Sequence, residues 1–89
     1  MATIVSHFLD EVSGLHTVST REGAVLLSVG LNDSGTPMVY AMEDLTKPYK
    51  PKKLQAVVGS GTGMPDTVGP YLGHVKLKSG AQMHVFEDA

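Results

Sequence analysis

The chain has 89 residues with a net charge of −2, and it contains no Cys, no Trp, two Phe and three Tyr. That length suits one small domain, 1–89, burying roughly 60–65% of its unfolded surface, and the missing cysteines exclude disulfides, thiolate metal sites and thiol nucleophiles. The slight negative charge argues against general nucleic-acid binding, and large core residues are scarce enough to favour burial of further surface against another copy or a partner.

Near the N-terminus, Ile4, Val5, Phe8, Leu9, Val12 and Leu15 fall at helical spacing, with Ser6, Asp10, Glu11 and Ser13 between them. Thr3 is placed to cap such a helix and Gly14 to end it. Ile4 and Val5 also suit the start of a strand. The same stretch lacks the uninterrupted apolar core of a signal peptide, because His7, Asp10 and Glu11 break it. The longest apolar run, around Ala24–Leu31, is far short of the ~20 residues of a membrane helix. Neither a cleavable signal nor a membrane span is expected, and the expected location is cytoplasmic or assembly-associated.

His16 to Thr20 reads as a short strand, followed by a turn at Arg21-Glu22-Gly23. Ala24 to Leu31 reads as a central strand with Val25, Leu27, Val29 and Leu31 on one face. Asn32-Asp33-Ser34-Gly35 is a turn signal, and Met38 to Met42 is the return strand, with Pro37 at its first position. Glu43 to Lys53 is proline-bearing and extended. It holds Lys47, Lys50, Lys52 and Lys53 around Tyr49, a candidate basic contact for phosphates. A solvated loop, or a complement to an acidic neighbour, is the simpler reading. Nucleic acid is not expected as a partner.

Leu54 to Val58 reads as a further strand that runs into Gly59, Ser60, Gly61, Thr62 and Gly63. This is a candidate anion-binding loop, since backbone amides of such a loop can cradle a phosphate. A dinucleotide site needs a helix next, and Met64-Pro65-Asp66 and Gly69-Pro70 forbid one. The Gly59–Gly73 segment carries Met64, Val68 and Tyr71, apolar groups expected to contact a neighbouring subunit.

Leu72 to Phe86 alternates apolar and polar residues on both sides of Ser79-Gly80. A three-residue loop, Lys78-Ser79-Gly80, with Gly80 in the left-handed position, pairs Leu77 with Ala81, Val75 with Met83 and Gly73 with Val85 on the apolar side. Lys76–Gln82 and His74–His84 then share the other side. Two imidazoles placed so, with Cβ atoms about 5–6 Å apart, have the spacing for one metal ion or a pH-sensitive pair. Lys76 and Lys78 oppose a cation there, and no metal site is expected. The acid doublets Asp10-Glu11, Glu43-Asp44 and Glu87-Asp88 read as solvated ends or faces.

No catalytic residue and no cofactor is expected. The resulting fold expectation is α+β, mainly β: one N-terminal helix on an antiparallel sheet of five or six short strands, closed by a C-terminal hairpin. The expected function is that of a non-enzymatic structural or interaction protein. It would act as a homo-oligomer or as a component of a larger assembly such as a viral particle. The alternative is a module that binds a nucleotide or other small anion through Gly59–Gly63.

Overall fold

The computed structural model describes residues 2–59 and 68–88, and among them there is no helix. Seven strands are formed: β1 (Ala2–Phe8), β2 (Gly14–Val18), β3 (Val25–Leu31), β4 (Pro37–Asp44), β5 (Lys52–Val58), β6 (Tyr71–Lys76) and β7 (Gln82–Glu87). They make two antiparallel sheets, one of three strands in the order β1-β4-β3 and one of four in the order β2-β5-β7-β6. The fold is therefore all-β, which corrects the expected α+β class. The strand count also exceeds the expected five or six.

The N-terminal segment is a strand because its two apolar pairs lie on two opposite faces. Val5 and Leu9 point to the core side while Ile4 and Phe8 point away from it, and the register with β4 runs unbroken from Ala2↔Asp44 to Phe8↔Met38. Two faces with residues four apart, offset by one position, produce the i, i+1, i+4, i+5 pattern of a helix. Gly14 does not cap a helix; it opens β2. That strand ends at Val18, two residues before the expected end at Thr20.

Strand β3 is an edge of its sheet, where a central strand was expected. A bulge between Leu26 and Ser28 also breaks its alternation, so that Leu26 pairs with Ala41 and Val29 with Val39 on the core side. The expected common face of Val25, Leu27, Val29 and Leu31 is thereby split. Strand β4 starts at Pro37 as anticipated and runs on to Asp44.

The core lies between the inner faces of the two sheets. Leu26, Val39 and Ala41 come from the first, and Val18, Leu54, Ala56, Val75, Met83 and Val85 from the second. The sheets meet where β3 packs against β6, with Val29 beside Gly73. The hairpin forms in the expected register, with Val75↔Met83, His74↔His84 and Lys76↔Gln82. Leu77 N–H donates to Ala81 O at 2.8 Å, and Gly80 takes a φ of 91°. With no helix among the described residues, none is long and apolar enough to cross a membrane.

Candidate functional site

The outer face of the second sheet carries the most chemically distinctive group of side chains. His84 on β7 stands between Val57 of β5 and His74 of β6. Tyr71 joins them through an irregularity in β6. Tyr71 pairs with Phe86 and Gly73 with Val85, so two steps along β6 match one along β7, and Leu72 is the extra residue of a bulge. In a regular strand Tyr71 would share the inner face with Gly73 and Val75. The bulge turns it to the imidazole side, the re-aiming that bulges characteristically produce.

The three polar groups meet at one point. Tyr71 Oη lies 2.9 Å from His84 Nδ1 and 3.2 Å from His74 Nδ1. The imidazole centroids are 5.6 Å apart, and Phe86 backs the phenol ring at 5.0 Å. A phenol has one proton to donate, so in the neutral cluster it gives it to one Nδ1 and accepts N–H from the other. That neutral state requires different tautomers at the two histidines, and the arrangement places three N/O ligand atoms on one side of the hairpin. Gly73 permits it: its φ of 137° suits glycine, and a Cβ would stand 3.2 Å from Val29 Cγ2.

A second polar cluster joins β1, β4 and the segment that follows β2. The Glu43 carboxylate, only 2% exposed, accepts from His7 Nε2 at one oxygen and from the Arg21 backbone N–H at 3.0 Å at the other. The Arg21 guanidinium stacks 3.8 Å over the Tyr49 ring and donates to Lys47 O and Tyr49 Oη. Thr20, fully buried, donates to Lys50 O at 2.7 Å. These bonds, with the Arg21↔Tyr49 bridge, tie the segment 45–51 to the sheets.

This corrects one expectation. Glu43 is not a solvated surface acid, since Pro37, Val39, Ala41 and Glu43 share the inner face of β4. Extending the strand by two residues at the sequence level would have revealed it. The four candidate lysines are divided between two elements. Lys47 and Lys50 lie on the exposed segment, whereas Lys52 pairs with Val18 and Lys53 with Thr17 on opposite faces of β5. Lys52 and Lys53 border a cleft of about 280 Å³, but Glu87 and Asp88 line it too, which offsets any pull on a phosphate.

Of the candidate anion loop, Ser60, Gly61, Thr62 and Gly63 lie outside the described residues, as does Met64 of the proposed contact segment. Gly59 is described, and its N–H donates to Gln82 O at 2.7 Å, so that amide is already engaged. Val68 is half-buried before β6, and Tyr71 is in the cluster above instead of a loop.

A third feature is the outer face of the β1–β4–β3 sheet. Ile4, Met42 and Val25 are direct cross-strand partners in one row, and all are exposed. Phe8 and Leu27 extend the patch, Phe8 with 68% of its surface free. Comparison with curated proteins and with solved structures gives no match. A family model described as a domain of unknown function, DUF7352, matches residues 1–89, and the chain belongs to that family.

Proposed function

We propose that the protein is a non-enzymatic interaction protein that works by self-association, as an oligomer or as one component of a larger assembly. The observation that carries this reading is the condition of strand β1. Exposed sheet edges are ordinarily blunted by shortness, bulges, proline or charge. Strand β2 is five residues long, β3 is bulged, and β6 is bulged and bears Lys76. Strand β1, Ala-Thr-Ile-Val-Ser-His-Phe, is seven residues long, regular throughout, and free of proline, Asp, Glu, Lys and Arg.

Among the described residues no strand pairs with its outer edge, and that edge is self-complementary. Leu9 N–H donates to Pro37 O, so the odd-numbered residues of the strand bond to β4. The even ones, Ala2, Ile4, Ser6 and Phe8, turn their backbone groups to the open side. Two copies pairing antiparallel about Ser6 set Ile4 of each opposite Phe8 of the other, twice. Aromatic against β-branched is a favourable cross-strand pair. Ile4 and Phe8 are 67% and 68% exposed in the single chain, and this pairing covers both.

Size-exclusion chromatography with light scattering tests the reading. The parent chain is expected to elute as a dimer or larger at tens of micromolar, and Phe8→Glu as a folded monomer. A parent that stays monomeric at that concentration overturns it.

A further inference from the structure

We propose that Tyr71, His74 and His84 bind one divalent transition-metal ion, zinc or copper(II), through the Nδ1 atoms of both imidazoles and the phenolate oxygen of Tyr71. This inference stands apart from self-association and uses a different face of the molecule.

The argument is first geometric. Three donor atoms already converge, with Oη at 2.9 and 3.2 Å from the two Nδ1 atoms. In a tetrahedral zinc site with bonds of about 2.0–2.1 Å, neighbouring ligand atoms lie about 3.3 Å apart. The two Oη–Nδ1 edges, 2.9 and 3.2 Å, are within a few tenths of an ångström of that length. The third edge joins the two Nδ1 atoms, and with imidazole centroids 5.6 Å apart it closes around an ion by rotation of the two rings, leaving the fourth position to water. The donors are also held by regular pairing: His74 and His84 are direct partners on adjacent strands. Sites built on strands keep their geometry better than sites on loops.

The bulge supplies the second observation. A cross-strand imidazole pair offers two ligands, and one residue inserted at Leu72 brings in the third by turning Tyr71 to the same face. Imidazole and phenolate suit zinc and copper(II), whereas magnesium and calcium prefer sets of oxygen ligands. Among the described residues no group of three His, Cys, Asp or Glu forms an alternative site. Lys76, the next residue on this face, opposes a cation. On binding, Tyr71 releases its phenol proton to solvent, which lowers the net charge of the occupied site from +2 to about +1 and weakens that repulsion.

The test is calorimetric titration of the untagged full chain with zinc and with copper(II), using magnesium and calcium as controls. One zinc or copper ion per chain is expected, and neither control ion. His74→Gln and His84→Gln should each weaken affinity by about tenfold or more, while His16→Gln leaves it unchanged. Tyr71→Phe should weaken binding less, and should remove the visible phenolate-to-copper charge-transfer absorption that the parent complex shows. As a readout free of substitution, added zinc should shift the ring resonances of His74 and His84 in the parent protein and leave those of His16 in place. Absence of binding at millimolar zinc and copper overturns the proposal. So does binding that leaves the His74 and His84 resonances unmoved.

Discussion

His7 and Glu43 are hydrogen-bonded to each other without being cross-strand partners. His7 lies opposite Val39 and Glu43 opposite Thr3, with Ala41 between them along the inner face of β4. The small side chain at Ala41 leaves room for the imidazole and the carboxylate to meet lengthwise. Together with the Arg21 amide they satisfy an acid that would otherwise be buried without partners.

Glu43→Ala is therefore expected to destabilise the fold by about 2–3 kcal/mol, because it strands the His7 ring and the Arg21 N–H. Glu43→Gln keeps an acceptor for Arg21 and should cost about 1 kcal/mol. Urea unfolding of the three proteins measures both. Equal midpoints for parent and Glu43→Ala would show that the cluster contributes nothing to stability.

The alternation of backbone groups along β1 makes a paired prediction about proline. Ser6 directs its N–H to the open edge, so Ser6→Pro keeps the β4 ladder and should cost about 1 kcal/mol or less while blocking self-association. Val5 directs its N–H at β4, and Val5→Pro should cost about 3 kcal/mol or more. Thermal melts and light scattering on both variants check this. Self-association that survives Ser6→Pro would mean that copies meet elsewhere.

How far the sequence could be read depended on whether side chains alone reveal the parity of a strand. The hairpin was legible because Val75, Met83, Val85 and Leu77 alternate cleanly with Lys76, Gln82, His74 and His84. Only one register separates the two groups. Strand β1 was not legible, because Ile4 and Phe8 make its outer face as apolar as its inner one, and a two-faced strand imitates a helix. The bulges at Leu27 and Leu72 were hidden too. An extra residue leaves no mark in composition, and it inverts every assignment beyond it. Tyr71 was read as a loop contact for another reason: it lies inside the glycine-rich Gly59–Gly73 segment, ahead of the clean alternation, yet it opens β6.

At the hairpin tip, Gly80→Val should destabilise by about 1–2 kcal/mol, since a φ of 91° is costly for a β-branched residue. Nothing stands within 4 Å of a Cβ there, so the penalty is one of backbone conformation and not of collision. Ser79→Ala loses only a long contact of 3.4 Å to the Ala81 N–H and should change stability by less than about 0.5 kcal/mol. Denaturation midpoints for the two variants distinguish them, and equal midpoints would contradict the left-handed assignment of Gly80.

Asp44 gives a prediction about pH. The Thr46 hydroxyl, at 2.6 Å, and then the Thr46 backbone N–H hold its carboxyl below the ordinary value of 3.8. A carboxyl depressed by folding stabilises the native state above its unfolded pKa, and that contribution is lost as pH falls through the folded value. Thr46→Val should return the Asp44 midpoint toward 3.8 in a carboxyl NMR titration. An unchanged midpoint would remove Thr46 as the cause.

The bulge in β6 is open to a direct test at Gly73. Its φ of 137° lies where side chains are poorly tolerated, and a Cβ would press on Val29 Cγ2 from 3.2 Å, in the seam between β3 and β6. Gly73→Ala should therefore destabilise by about 1–3 kcal/mol. It should also disturb what the bulge positions, because relaxing the backbone toward regular pairing carries Tyr71 away from the imidazole face. The ring resonances of His74 and His84 are then expected to move even though neither residue has been changed. Leu72→Ala supplies the control. It removes packing against the core but keeps the extra residue, so it should lower stability while leaving those resonances close to their parent positions. If Gly73→Ala destabilises and the resonances stay put, the bulge does not depend on glycine at this position. Tyr71 would then be held by Phe86 and the Pro70 and Gly69 bonds to Glu87 instead.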